Sequence, residues 1–395
     1  WNQTYTEWEE IYVPRPTVHD STNPQQVLDY TRFISASAVQ FCKMQSDIIR
    51  KYKKPQDFIT TNGMFGNLDN HEMMDECLDV YTYDSYPNFA YCLCEDPKHS
   101  DDLNDRKWSR NLSEVRSVCP HFGIMEQQSG ANGWNTRMEA PAPKPGQMML
   151  WTMQSIAHGA DYVSFFRWRT AVIGTEIYWH GILDYDNRDN RKLSEVHRIW
   201  KRIQAVNEMA GAEYQAAFGL VRDYDNIWDS QLDVWHMRLA KKSEKEIFTA
   251  SQISHTPMDM VYLLEDTDAE ELMKYPVLIY PHPLILTEKR AEVLEQYVKA
   301  GGCLILGCRT GQKDENGRCV MQPMPGLLSS LAQTDVKEFT FIGPADDAVF
   351  MDWQGKQVET GLFNDILATT GPDVRILAKY SSNYYEGCPA LAETV

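Results

Sequence analysis

The sequence predicts an α/β chain in two parts. Residues 1–210 read as the C-terminal half of a (β/α)8 barrel, and 211–395 as a flavodoxin-like, doubly wound α/β domain. Three observations lead there. Short β-type runs alternate with helical stretches through the first part, the pattern of a parallel sheet covered by helices. Polar or charged residues close each strand, where barrel enzymes collect their chemistry. Only four such units fit, against the eight units and ~250 residues of a full barrel.

The elements follow in order. Asn23-Pro24 marks a boundary, after which Val27, Leu28, Tyr30, Phe33, Ile34, Ala38, Phe41, Met44 and Ile48 recur at helical spacing, predicting a helix over 25–53. A strand over 57–62 ends in Thr60, Thr61 and Asn62, and another, from Leu78 to Tyr83, runs into Asp84-Ser85-Tyr86-Pro87. Residues 105–118 read as a helix before the strand Phe122 to Gln127. Residues 146–158 read as the next helix, before the strand Asp161 to Phe166. A long helix from about Lys192 to Ala210 closes the half barrel. Beyond Glu213, apolar runs at 217–221, 260–263, 277–281 and 303–307 repeat the strand pattern. An amphipathic helix over 288–300 lies between the last two, with Gly301-Gly302 as its C-cap. This second part has neither GxGxxG nor a P-loop, so its topology alone assigns no nucleotide.

Composition narrows the function. The chain has 395 residues, 43% hydrophobic and 24% charged, which is the composition of folded globular domains. No stretch approaches the ~20 apolar residues of a membrane-spanning helix. Acidic residues outnumber basic ones, 56 to 38, and the net charge of −18 argues against a nucleic-acid partner. Aromatics make up 11%, a load that sugar-stacking sites use and that large cores also explain. Nine irregularly spaced Cys form no disulfide framework, which points to a reducing, cytoplasmic compartment. Cys92-Leu93-Cys94 is a lone CxC, and free thiols are the expectation there rather than a metal. The chain opens at Trp1 without an initiator Met or leader features, so any targeting signal is expected upstream.

Glu126 is the sharpest candidate for chemistry. It follows the apolar run Phe122 to Met125, at a strand end where a carboxylate is costly unless used. A polar loop follows, and Trp134 lies eight positions on. A carboxylate beside an indole suits attack on a sugar ring and stacking against it. An ion pair of Glu126 with Arg167 or Arg169 explains it equally well. Arg167 and Arg169, at i and i+2, face the same way and suit holding Glu126 or Glu176 in place. Glu176 and His180 lie four apart in the next loop. With no HExxH and no third ligand, they suit sugar hydroxyls better than a metal, and a solvated loop is an equal alternative. Tyr86, in a turn fixed by Pro87, and Asn62 share the strand-end logic, packing being the alternative. His158 reads as the C-terminal decoration of a helix.

With these residues in hand, a resemblance emerges. Trp1-Asn2-Gln3-Thr4-Tyr5, Thr60-Thr61-Asn62, Tyr83-Asp84-Ser85-Tyr86-Pro87, Met125-Glu126-Gln127-Gln128, Ala157-His158-Gly159-Ala160-Asp161, Phe166-Arg167-Trp168-Arg169 and Tyr178-Trp179-His180-Gly181 follow one another in this order. Together they resemble the bacterial β-galactosidases of glycoside hydrolase family 42, whose TIM barrel precedes a trimerisation domain. The resemblance implies a retaining glycosidase acting on terminal β-D-galactosides. It implies Glu126 as nucleophile, Trp1 and Trp134 as sugar contacts, Tyr86 near the nucleophile, and Glu176 with His180 on galactose hydroxyls. The family's acid/base Glu follows an Asn in a segment before the Trp1 motif, so this chain is expected to be an internal fragment without it. The structural zinc of some members would lie in that earlier half, leaving no cofactor here. A homotrimer is implied for the parent enzyme. Two other readings are a catalytically inactive assembly module and a regulatory amidotransferase-like domain. The latter wants a nucleophilic Cys on a strand–helix elbow, which neither Cys303 nor Cys308 offers.

Overall fold

The computed structural model describes residues 1, 3–16, 22–64, 66–88, 106 and 108–395. Cys92 and Cys94 lie outside the described residues. The chain groups into two compact units, residues 34–216 with 252–260, and residues 1–33 with 217–251 and 261–395. The first 33 residues thus group with the later part of the chain, not with 34–210. The reason is local: Leu28 packs with Tyr224, Trp228, Tyr262 and Ile285, and Arg32 pairs with Asp225 at 2.8 Å.

In the barrel-type unit the elements alternate as the pattern predicts. Helix α1 (Pro24–Arg50) enters it, and α2 (Asn70–Cys77) starts at Asp69, whose side chain caps the Glu72 N–H. Strand β1 (Thr82–Ser85), helix α3 (Trp108–Val118) and strand β2 (Phe122–Gln128) follow. A short hairpin, β3 (Asn132–Trp134) and β4 (Arg137–Ala140), then precedes α4 (Gln147–Ala157), β5 (Ala160–Phe166) and α5 (Arg191–Ala205). β1, β2 and β5 form one parallel sheet in that order. The expected strand over 57–62 is reduced to a parallel bridge between Asn62 and Thr82, because the Asp79 carboxylate takes the Ile59 N–H at 2.8 Å. Tyr81, Leu112, Val115, Phe122 and Ile124 are wholly buried and fix the sheet against its helices. Each such side chain contributes about 1.5–3 kcal/mol by leaving water.

The second unit is built on β6 (Phe218–Arg222), β7 (Met258–Tyr262), β8 (Val277–Tyr280) and β9 (Cys303–Leu306), in the order β7-β6-β8-β9. That is the flavodoxin-like order, and β6–β8 and β8–β9 are parallel. Helices α6 (Tyr224–Leu232), α7 (Val234–Ser254), α8 (Ala269–Leu272) and α9 (Glu288–Lys299) connect them. After α10 (Ser329–Ala332) the architecture changes, which the strand pattern did not predict. Strands β10 (Thr334–Phe341), β11 (Phe350–Trp353), β12 (Lys356–Glu359), β13 (Phe363–Thr369), β14 (Val374–Tyr380) and β15 (Pro389–Thr394) form two antiparallel sheets. Gln354 and Gly355 both have positive φ, 55° and 78°, the turn that matches strand twist in the β11–β12 hairpin. Among the described residues no helix is long and apolar enough to cross a membrane.

Candidate active site

Glu126 lies near the C-terminal end of β2, as the sequence predicts, and Gln127 and Gln128 continue the pairing to Phe165 and Phe166. Both glutamines are buried. The Tyr86 hydroxyl donates to Glu126 Oε2 at 2.6 Å, and the Asn62 amide reaches Oε1 at 3.5 Å. Burial, and next the Glu126 carboxylate, push the Tyr86 phenol far above its ordinary value, so it stays a donor at any working pH. The ion pair of Glu126 with Arg167 or Arg169 is not formed. Arg167 pairs instead with Glu176 and lies over the Phe166 ring at 4.5 Å.

Trp134 reaches the site on the β3–β4 hairpin. Its ring is 4.7 Å from that of the buried Trp179, with the Arg137 guanidinium over it at 4.7 Å. Trp179 also meets the Tyr86 ring edge-on at 5.2 Å. One aromatic chain therefore runs from Trp134 through Trp179 to the residue that donates to Glu126. Main-chain bonds tie the same segments together, from His180 N–H to Ala131 O and from Asn135 N–H to Thr175 O, each at 2.8 Å. Gly130 permits this approach, since a Cβ there would stand 2.4 Å from the His180 carbonyl oxygen.

His180 is held from behind. Its Nδ1 is 3.4 Å from Asp184, which also accepts from Lys192 Nζ at 3.1 Å. Buried Lys192 in turn donates to the Gly181 carbonyl at 2.6 Å. Trp1 belongs to the other compact unit, where its indole N–H donates to Asp29 at 2.7 Å and its ring meets Tyr5 edge-on. His158 is more than a helix decoration. It is half-buried, bonded to Ser109 and Gln154, and desolvation of the ring holds it at about 4. Among the described residues no group of three or more His, Cys, Asp or Glu could hold a metal ion.

Two participants were not singled out from the sequence. Trp179 stood within a quoted motif, but nothing in its spacing marks it as the link between Trp134 and Tyr86. Asp84 shares both its oxygens with the Asn62 amide, at 2.8 and 2.7 Å, and burial, with the Glu126 charge, raises it to about 6. Its place at a strand end beside Tyr86 was the available signal.

A parallel half barrel presenting a hydrogen-bonded carboxylate beside an aromatic wall is the architecture of a glycosidase-type site. The family described as β-galactosidase, glycoside hydrolase family 42, matches residues 1–206, and the family's β-galactosidase trimerisation domain matches 254–394. The chain belongs to glycoside hydrolase family 42. The β-galactosidase BgaA of Clostridium cellulovorans is 32% identical over 98% of this chain and 56% of its own length. The crystal structure of β-galactosidase from Bacillus circulans sp. alkalophilus superposes with a TM-score of 0.84 at 25% identity, covering 99% of this chain and 57% of that one. A β-galactosidase structure from Halorubrum lacusprofundi gives 0.83 at 26% identity, with 98% and 57% covered. The chain spans about half the length of the curated relatives it matches.

Proposed function

We propose that residues 1–206 carry the nucleophile side of a retaining β-galactosidase site, with Glu126 as the nucleophile. The observation that carries this reading is the Tyr86–Glu126 hydrogen bond, set beside the Trp134–Trp179 wall. In the proposed reaction a Glu126 oxygen bonds to the anomeric carbon as the leaving-group oxygen departs with the bonding pair. Water then releases galactose from the glycosyl-enzyme, and the carboxylate is regenerated. Trp134 would stack on the apolar face of the sugar, and Glu176 and His180 would accept from and donate to its hydroxyls. Tyr86 would keep Glu126 oriented. The second carboxyl of such a site lies ~5–5.5 Å from the first. We place it outside these 395 residues, as the length of the matching relatives favours. We further propose that the parent enzyme is a cytoplasmic homotrimer needing no cofactor for this chemistry.

The experiment compares two leaving groups on the purified chain. Departure from an ordinary sugar needs a proton, a contribution of about 10²–10⁴-fold. Lactose should therefore be nearly inert, while 2,4-dinitrophenyl galactoside, which leaves unprotonated, should react and lose all reaction in Glu126→Gln. Robust lactose hydrolysis would show that the acid lies within this chain. The match to a trimerisation domain favours a second reading, an assembly module without catalysis. A trimeric chain that reacts with neither substrate would decide for it.

A further inference from the structure

Two polar residues beside Glu126 have no part in the chemistry above. Asp84 on β1 is the register partner of Glu126 on the adjacent parallel strand β2. Asn62 bridges to Thr82 on β1. Its amide nitrogen is 2.8 and 2.7 Å from the two Asp84 oxygens and 3.5 Å from Glu126 Oε1. A primary amide has two hydrogens, so this nitrogen can serve both carboxylates with one hydrogen each. The strong contact goes to Asp84 and the long one to Glu126. Two acidic side chains on neighbouring strands therefore share one neutral donor. Among the described residues neither has a cationic partner. The groups facing them are Asn62 and, on the far oxygen of Glu126, Tyr86.

We propose that Asp84 is a positioning residue for the nucleophile: it anchors the Asn62 amide against Glu126 and places a second negative charge next to it. The proposal rests on the reading of Glu126 as nucleophile. Two consequences follow from chemistry alone. Without Asp84 the Asn62 side chain has no acceptor to fix its rotamer, and Glu126 loses a wall against which it is oriented. An ionised Asp84 also favours a transition state with oxocarbenium character, because positive charge develops on the sugar. Burial, and the neighbouring Glu126 charge after it, hold the Asp84 carboxyl at about 6, so it changes charge a little below neutral pH.

The test has two arms on the chain as it stands. Carboxyl-carbon NMR follows the titration of Asp84 directly. Glu126→Gln should move its midpoint down by about one pH unit, as a like charge is removed. Asn62→Ala should move it up, as a donor to the ionised form is lost. The second arm follows trapping of Glu126 by 2,4-dinitrophenyl 2-deoxy-2-fluoro-β-D-galactoside, whose leaving group needs no acid. Asp84→Asn should slow trapping at pH 7.5 about tenfold and remove an acid limb near pH 6, and Asp84→Glu should restore part of the rate. An Asp84 midpoint indifferent to both neighbouring substitutions overturns the inference. So does an Asp84→Asn variant trapped at Glu126 as fast, and with the same pH profile, as the parent. A label found on another carboxylate instead overturns the assignment of the nucleophile, and the two failures are distinguishable.

Discussion

Replacing Tyr86 by Phe isolates what its hydroxyl does, because the ring that packs against Trp179 is kept. The hydroxyl donates to Glu126 Oε2 at 2.6 Å, the length of a charge-assisted bond. A hydrogen bond to a charged group is worth about 1.5–3 kcal/mol, which is roughly 10–150-fold in rate when it is realised in one state and not the other. The sign follows from where the carboxylate charge goes. In the proposed reaction Glu126 spends its charge when it bonds to the sugar and recovers it when that bond breaks. A donor to the charge therefore favours breakdown of the glycosyl-enzyme over its formation. Tyr86→Phe should slow the second step by roughly 10–150-fold, while attack changes far less. The assay is stopped-flow release of dinitrophenolate from the aryl galactoside, with azide as the second-step acceptor so that no general base is needed. The fast phase should persist, the slow phase should fall, and mass spectrometry should find the adduct on Glu126 accumulating. A slow phase equal to that of the parent would refute the argument, since the hydrogen bond would then stabilise both states equally. A collapse of the fast phase alone would show that the hydroxyl's orienting effect on Glu126 outweighs its effect on the charge.

Three further outcomes are expected. Gly130→Ala puts a Cβ 2.4 Å from the His180 carbonyl and 2.6 Å from its Cβ, so the Trp179–His180 segment must move. Because a 1 Å displacement costs on the order of 10²-fold, trapping of Glu126 should drop by about that factor with the fold intact by circular dichroism; an unchanged rate counts against the shared site. In the second unit, buried Lys313 holds buried Asp229 at 2.8 Å and half-buried Asp233 at 3.0 Å, and Asp229 also meets His236 at 2.7 Å. Lys313→Met leaves that carboxylate cluster without its ammonium and should cost about 3–5 kcal/mol in urea unfolding followed by a probe in this unit, with a loss under ~1 kcal/mol speaking against it. His158 is held near 4 by burial first and the Arg116 guanidinium second, against 6.5 when unfolded. The unfolded chain then binds the extra proton, so stability falls as pH drops from about 6.5 to 4, by roughly 3 kcal/mol from this group. His158→Gln should flatten that limb, and an unaltered acid profile would contradict it.

The legible part of this structure is the part whose signal is local. An apolar run closed by polar residues marks β2 and β5 within a few residues, although β2 is largely buried and β5 is half-exposed along most of its length. The ordered motifs carried the family. What stayed hidden depends on partners distant in sequence. The β3–β4 hairpin consists of one three-residue and one four-residue strand, too short for an alternation to appear, and Gly133 weakens it further. It holds its place through Asn135 bonding to Thr175 and Ala131 accepting from His180. The antiparallel sheets over 334–394 turn at Gln354-Gly355, where Gln gives none of the Asn-Gly signal that marks a two-residue hairpin.

Charge pairing shows the same limit more sharply. Arg167 had two acidic candidates at similar standing, and strand register chose between them. β5 ends at Phe166, and its next residue meets the loop bearing Glu176. Glu126 is left facing a phenol and an amide, neither of which neutralises it. A guanidinium on Glu126 would satisfy the carboxylate and quench the nucleophilicity proposed for it, whereas the Tyr86 and Asn62 contacts leave its charge available for bonding. Among the described residues the same exclusion of cations leaves Asp84 with a neutral donor for its own charge. The sheet therefore tolerates two carboxylates on adjacent strands, with the raised Asp84 as the visible cost. Packing needs no such arrangement, since an amide or an aliphatic side chain at either position would fill the space without it. The nucleophilic role proposed for Glu126 would account for it.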